Sequence, residues 1–422
     1  MGSTPSTGVG YRQALQSHEF RALCTAQFVS VAGTSVAAVA LTVLVYRRTS
    51  SPLLASVTFS LGFLPYLAGG AVLSSVVDRV RPRRLVSRCD AASALVAVAM
   101  ALPSTPTPLL LGLLFAVGTL SSLSSGSRAA LVRSSVPDDA YVPARSLMRV
   151  AAQLAQLGGN AGAGGLLVIL SPSRLLVVNA ACFAFSSIAV RAAVGDHPNL
   201  GGRHGGATLG SWRGARAVLA HAELRRLLLI GWLVPMFGAA PEGVAAAYVA
   251  AQHASSNLVG WWLTALPAGM IAGDIAGVRR LSPARQRRLV APAAAAGFAP
   301  YLVFFSDPPV RFAIPLLVAS GVCGLYGLGL DARVRDAAPV PLFARTMALN
   351  TAGLMALQGI GFTLAGAIAQ ATGPSTAIGV AGASGAVTVI ILARGELTRR
   401  RHRSEPAAKR MPRTGDVQDR SL

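Results

Sequence analysis

Long apolar stretches follow one another along most of this 422-residue chain, and they repeatedly reach about 18 to 26 residues. At about 1.5 Å of rise per residue, an α-helix of that length crosses the roughly 30 Å hydrocarbon core of a bilayer. The chain is 53% hydrophobic and only 13% charged, about half the charged share of an ordinary soluble protein. Too little charge is available to cover a water-exposed surface, so the sequence predicts an all-α integral membrane protein.

We predict twelve membrane-spanning helices from these stretches, numbered as spans one to twelve. They cover residues 22–45, 54–77, 86–104, 108–127, 147–170, 174–194, 227–250, 257–278, 289–305, 311–330, 346–371 and 375–393. The stretches are apolar on all sides, as helices surrounded by lipid require. The third is the least distinct, because Arg88 and Asp90 fall in its first turns.

The 38 basic residues divide unevenly between the two sides of such a bundle. With the N-terminus in the cytoplasm, 34 of them fall in cytoplasmic segments, and the outer loops hold only Arg47, Arg48, Arg174 and Arg311. Basic loops resist translocation, so both termini are predicted to be cytoplasmic. The arginine-rich composition is typical of a GC-rich bacterial gene and points to a bacterial plasma membrane. Nucleic-acid binding is disfavoured, because the positive charge is spread over separate segments without interleaved aromatic residues.

Three short matches relate the first half of the chain to the second at offsets of 202 to 204 residues. The matched pairs are Glu19–Leu23 with Glu223–Leu227, Arg83–Val86 with Arg287–Val290, and Gly159 and Gly164 with Gly361 and Gly366. An offset of six spans gives both halves the same topology, which predicts two parallel six-helix halves, a plan used by transporters.

These matches divide the chain into five regions. We expect a cytoplasmic N-terminus (1–20), an N-terminal six-helix half (21–194), a glycine-rich cytoplasmic linker (195–222), a C-terminal six-helix half (223–394) and a basic cytoplasmic tail (395–422). The composition predicts that the linker is flexible and that the polar chain from Arg394 onward is disordered.

A dense cationic cluster, VVDRVRPRRLVSRCD, lies between the predicted spans two and three. With its twelve spans and parallel halves, the chain resembles the major facilitator superfamily over nearly its whole length. The superfamily carries Gly-x-x-x-Asp-Arg-x-Gly-Arg-Arg in this loop, and the matching residues here are Asp78, Arg79, Arg83 and Arg84. The resemblance implies that they form a cytoplasmic latch that stabilises the outward-open state; the alternative is that the arginines only fix topology.

The stretch GGNAGAGG in span five is similar to the superfamily's exporter-associated motif, with Gly159 and Gly164 in place and Asn160 where proline is usual. The resemblance implies close helix packing here, which small residues permit in any membrane bundle, and it favours export over uptake. Proton-linked drug exporters of the superfamily also carry an arginine within span four. The predicted span four has no charge, and its polar residues between Ser121 and Ser125 are serines.

Ionisable residues inside the predicted spans are functional candidates, because an unpaired charge is costly in a bilayer. Glu242 lies about 12 Å deep in span seven by helix rise, and proton coupling, substrate binding, a gate contact and a structural hydrogen bond are all open to it. Asp274 lies near the cytoplasmic end of span eight beside Arg279 and Arg280, where a second latch or an ion pair is expected. Asp331, at the end of span ten, is interpreted in the same way.

Together these features predict a secondary active transporter that works by alternating access. Proton-coupled export of a small organic molecule or drug by an antiporter is the leading interpretation. An importer of a small solute and a non-transporting sensor or accessory protein on the same fold remain alternatives. The chain has no nucleotide-binding motif and no cluster of acidic residues and histidines, so we predict no enzyme, cofactor or metal. The predicted partners are the substrate, protons and membrane lipids, and the protein is predicted to be a monomer.

Overall fold

The computed structural model describes residues 7–72, 80–137, 140–196, 212–339 and 342–404. Within these ranges the secondary structure is helical, and twelve helical segments run back and forth through one bundle. Spans one to six are His18–Thr49, Pro52–Val72, Pro82–Ala101, Thr107–Ser135, Tyr141–Leu166 and Pro172–Ala193. Span seven is Ala222–Gly238 continued by Ala240–Gly243 and Ala245–Ala251, span eight is Leu258–Arg280, and span nine is Val290–Ala296 continued by Ala299–Leu302 and Val303–Ser306. Span ten is Val310–Val322 continued by Cys323–Leu325 and Tyr326–Ala337, span eleven is Phe343–Thr372, and span twelve is Pro374–Ser404.

Within the described ranges, three shorter helices lie outside the spans, at Thr7–Gln16, Trp212–Ala220 and Pro283–Arg288. Among the described residues, eight helices are long and apolar enough to cross a membrane by themselves, and Pro52–Pro65 and Val290–Ser306 are shorter apolar helices. The predicted fold class, two parallel six-helix halves of an all-α membrane protein, is confirmed. We call the end of the bundle where spans one and seven begin the linker face, and the opposite end the far face.

Two pairs of glycines show how the halves repeat. In span five, a Cβ on Gly159 would lie 2.6 Å from the carbonyl oxygen of Ala32 in span one, and in span eleven a Cβ on Gly361 would lie against Met236 of span seven. These positions pack helices within each half. The second glycine of each pair packs across to the other half: Gly164 lies against span eight, and Gly366 lies against span two. The glycines matched in the sequence therefore have the same two roles in both halves: one packs helices within its half, and the other packs against the opposite half.

Several helices are longer than their apolar stretches. Span three begins at Pro82, which places Arg83 and Arg84 in its first turn, and span four continues to Ser135. Span twelve continues to Ser404, so the prediction of disorder from Arg394 onward is wrong as far as that residue. Hydropathy ends where charges begin, whereas arginine is a good helix former and the backbone hydrogen bonds continue beyond the apolar part.

Candidate functional site

The two halves are joined along a contact that we call the far-face seam, formed mainly by spans two and eleven. Ser51 Oγ donates to Gln370 Oε1 at 2.8 Å, close to the far face. Deeper in the bundle, Ser60 Oγ donates to the carbonyl oxygen of Gly359 at 2.7 Å and lies 2.7 Å from Thr363 Oγ1. These small hydroxyl side chains let the two helices approach closely and satisfy polar groups that lipid could not.

Aromatic packing and a second pair of helices complete the far-face seam. The ring of Phe362 stacks on Phe59 with centroids 5.1 Å apart and lies 5.4 Å from Phe63. Spans five and eight form a second contact between the halves, where Asn160 Nδ2 donates to the carbonyl oxygen of Leu263 at 3.1 Å. The hydrogen bonds that join the halves at Arg47, Ser51, Ser56, Ser60 and Asn160 lie from the far face to about the middle of the bundle. The bundle is thus closed at its far face.

Span seven is broken at the candidate residue Glu242. Its helix ends at Gly238 and restarts as the short turn Ala240–Gly243 before Ala245–Ala251. Proline at 241 cannot donate the usual backbone hydrogen bond, and glycine at 243 is a weak helix former. The break leaves carbonyl oxygens that need partners inside a membrane bundle.

Side chains from three other spans supply these partners. Tyr301 Oη of span nine donates to the carbonyl oxygen of Gly238 at 3.0 Å, and Trp262 Nε1 of span eight donates to that of Pro241 at 2.8 Å. Ser56 Oγ of span two, in the other half, donates to the carbonyl oxygen of Gly243 at 2.8 Å. Ser56 therefore ties the far-face seam to the residue next to Glu242. The sequence analysis missed these partners, although the proline and glycine beside Glu242 signalled the break.

Glu242 lines a cavity of about 150 Å³ inside the C-terminal half. Spans seven to eleven enclose it, and its polar groups include those of Glu242, Tyr301, Ser320 and Gln358. The remaining wall is mostly apolar. A carboxylate in such a place either takes up a proton or needs a cationic partner, because burying an unpaired charge is costly.

Asp274 does not form the ion pair that was one of the two roles predicted for it. Among the described residues, Asp274 forms no ion pair with its neighbours Arg279 and Arg280, and the charge that acts on it is that of Asp331. Asp331 in turn lies within electrostatic range of Arg149, on span five of the other half, and of Arg335 on its own helix, so an ion pair of Asp331 stays a prediction. The expected ion pair fails because the two arginines, one turn further along, are exposed at the linker face.

A buried ion pair that the sequence analysis missed lies inside the N-terminal half. Arg128 Nη2 is 2.5 Å from Asp90 Oδ2, and Ser186 Oγ donates to the same oxygen at 2.6 Å. The side chains of Arg128 and Asp90 are 9% and 4% exposed. The prediction that span four carries no charge is wrong, because Arg128 lies within its helix, neutralised by span three. Both residues lie about 10 to 12 Å from the linker-face ends of their helices by helix rise. This shared depth is the sequence feature that could have indicated an ion pair between Asp90 and Arg128.

Two of the four predicted latch residues, Arg83 and Arg84, make contacts at the linker face. Arg81 Nη1 and Arg84 Nη2 lie 2.6 Å and 3.1 Å from Asp196 Oδ2, and Arg83 donates to the carbonyl oxygen of Arg191. The hydrogen bond from Arg81 holds the pKa of Asp196 below its usual range, helped by the charge of Arg84. These contacts tie the start of span three to the end of span six. The other two predicted latch residues, Asp78 and Arg79, lie outside the described residues.

No protein-family model and no curated protein sequence matches this chain. Solved structures match it in fold. A bacterial homologue of the human lysosomal transporter Spinster, in an inward-facing and unoccupied conformation, matches with a TM-score of 0.65 and 15% identity over 95% of this chain and 98% of that one. A nucleoside transporter matches with a TM-score of 0.67 and 13% identity over 89% of this chain and 99% of that one. A peptide transporter matches with a TM-score of 0.64 and 16% identity over 91% and 95%.

At such identities the similarity establishes the fold. The chain has the twelve-helix fold of the major facilitator transporters, as the sequence predicted.

Proposed function

We propose that the protein is a secondary active transporter that moves a small organic molecule across the membrane by alternating access. The observation that carries the proposal is the far-face seam, where two repeated halves meet through glycines, small hydroxyl side chains and one aromatic cluster. Such a contact can separate and reform as the halves rock about a site between their ends, which is how repeated-half transporters expose that site to alternate sides.

Glu242 is the proposed coupling residue. It lines the cavity in the C-terminal half, and through Gly243 and Ser56 it is one residue from a hydrogen bond that joins the halves. A group that gains and loses a proton at this point would change both the charge of the cavity and the environment of the far-face seam. Asp274 is the second candidate, and its neighbour Asp331 supports a role in which one of the two carries a proton.

We propose outward transport across a bacterial plasma membrane, with the linker face in the cytoplasm. The division of basic residues supports this orientation. The similarity of the span-five glycine stretch to the exporter motif supports the direction, and the contacts of Gly159, Asn160 and Gly164 with spans one and eight are the close packing that such a motif serves.

The cytoplasmic latch remains a proposal. Arg83 and Arg84 hold the carbonyl of Arg191 and the carboxylate of Asp196, and we propose that Asp78 and Arg79 extend this group of contacts. The contacts of Arg83 and Arg84 join spans three and six of one half; contacts from Asp78 and Arg79 to the other half would close the linker face and so favour the state that is open at the far face.

Thiol labelling across the far-face seam tests alternating access without a known substrate. Thr363→Cys, on a background without the four native cysteines, should be shielded in the far-closed state and should react slowly with a membrane-impermeant maleimide added to intact cells. A reversible crosslinker between Ser51→Cys and Gln370→Cys should hold the seam closed and abolish that labelling until it is cleaved. A thiol at 363 that stays unreactive from outside at every pH and ion gradient, crosslinked or not, would refute alternating access.

A further inference from the structure

The cavity beside Glu242 belongs to one half of the bundle only. All its lining residues come from spans seven to eleven. The chemistry of the pocket is therefore set by residues of the C-terminal half.

The charge of this pocket is unbalanced. Glu242 is its acid, and among the residues that the structure describes no arginine, lysine or histidine lines it. No described residue pairs with the Glu242 carboxylate or donates a hydrogen bond to it. The titratable groups that line the pocket with it are Tyr301, Cys323 and Tyr326, from spans nine and ten, and spans eight and eleven add none. None of these groups brings a positive charge.

Aromatic side chains occupy the wall of the same pocket. Phe298, Tyr301 and Tyr326 line it, and Met270 adds a polarisable side chain. Phe298 and Tyr301 pack edge to face, with ring centroids 5.8 Å apart. The hydroxyl of Tyr301 donates its hydrogen bond to the carbonyl oxygen of Gly238. Aromatic rings attract organic cations and also accept apolar groups. An anionic group within an apolar, aromatic wall is complementary to a small cation with an apolar body.

We infer that this pocket binds a small organic ammonium ion, with Glu242 as its counter-ion. The inference deepens the proposed function by naming the substrate class, and its role in transport rests on that function. Protonated Glu242 and bound ammonium are alternative ways to neutralise one carboxylate. When the ammonium ion enters, its charge pairs with the carboxylate and the carboxyl proton leaves to water, so one positive charge replaces another and the pocket stays neutral. Exchange of this kind is what an antiporter requires.

Equilibrium binding to the full chain in phosphatidylcholine nanodiscs tests the inference. The probe is phenyltrimethylammonium, whose charge does not depend on pH. N,N-dimethylaniline at pH 8 is its neutral counterpart of nearly the same shape, and benzoate is an anion on the same ring. We expect the cation to bind at least tenfold more tightly than either, and calorimetry in buffers of different ionisation enthalpy to detect protons released as it binds at lower pH.

Two variants localise the effect. Glu242→Gln should weaken binding of the cation at least tenfold and change binding of the neutral probe less than twofold. Asp336→Asn removes the same charge from an exposed residue that pairs with Arg287 outside the pocket, and should leave both affinities unchanged. Binding of the cation to the unaltered protein no tighter than that of the neutral probe would overturn the inference, even if the glutamine variant fails to fold. Equal loss in both variants would also overturn it.

The outcome is separable from that of the proposed function. Charge-selective binding that depends on Glu242, without alternating exposure of position 363, would support the pocket and refute the transporter. Alternating exposure without ammonium selectivity would refute the pocket and leave the transporter standing.

Discussion

Gly260 offers a direct way to open the far-face seam. It faces Gly164 across the contact between spans eight and five, and a Cβ added to it would lie 2.4 Å from both the Cα and the backbone nitrogen of Gly164. It would also lie 2.6 Å from the carbonyl oxygen of Asn160. Backbone atoms cannot turn aside as a flexible side chain can, so Gly260→Ala requires the two helices to separate.

The size of the effect follows from overpacking. Forcing an extra methyl group into a packed contact costs about 1 to 3 kcal/mol. If the halves alternate as proposed, the cost falls on the far-closed state alone, because opening of the far face separates the two glycines. The ratio of far-open to far-closed molecules should therefore rise about 5- to 150-fold. Gly162→Ala is the matched control, since it adds the same methyl group to span five where no atom lies within 4 Å.

Pulsed electron paramagnetic resonance measures this shift. Spin labels at Ser104→Cys and Ala371→Cys, on the cysteine-free background, lie on opposite halves near the far face and report its opening. Gly260→Ala should move the distance distribution towards longer values, whereas Gly162→Ala should match the parent. If Gly260→Ala leaves the distribution unchanged, the far-face seam is not a gate that the halves open by separating.

Three further outcomes are expected. Asp90→Asn should lower the free energy of unfolding by about 3 to 5 kcal/mol, because it leaves the Arg128 guanidinium buried and uncompensated, with its Nη1 already unpartnered. The exposed control Asp336→Asn should change the free energy of unfolding by less than about 1 kcal/mol. Equal losses for the two variants on denaturation in detergent would refute the buried pair. Because Arg81 and Arg84 depress the pKa of Asp196, its contribution to stability is complete above its usual pKa of 3.8 and is lost as pH falls through the lowered value. Asp196→Asn should thus be less stable than the parent at pH 7 and indistinguishable from it in strong acid, and a difference that persists in acid would contradict the assignment. Asp78→Asn should impair transport at normal abundance, and full transport would reduce the cationic cluster to a topology signal.

The sequence was sufficient for the number of spans and for their division into halves, because bilayer thickness sets the length of each apolar stretch. It also drew attention to Glu242, an acid inside a predicted span, whose role in coupling stays a prediction. It could not place Arg128, because hydropathy treats an arginine beyond an apolar stretch as a loop residue. Only the packing of spans three, four and six brings Asp90 and Ser186 beside it.

The partners of the broken span seven were also beyond prediction. Ser56, Trp262 and Tyr301 lie on three different spans, and nothing in their local sequence indicates that their side chains meet carbonyl groups of one helix. The prediction for Asp274 failed for a related reason. Closeness in sequence to Arg279 suggested an ion pair, whereas helix geometry turns residues five apart away from each other, and the charge near Asp274 is that of Asp331 on span ten.

Proton-driven accumulation in proteoliposomes tests the central claim, that Glu242 exchanges protons for an organic cation as the halves alternate. Radiolabelled phenyltrimethylammonium is suitable because it cannot cross the bilayer as a neutral base and so cannot follow a pH gradient unaided. With an acidic interior and the membrane potential held at zero, the unaltered protein should concentrate the cation inside. Glu242→Gln should at most equilibrate it. Equal accumulation by both proteins, or none by either, would contradict the account.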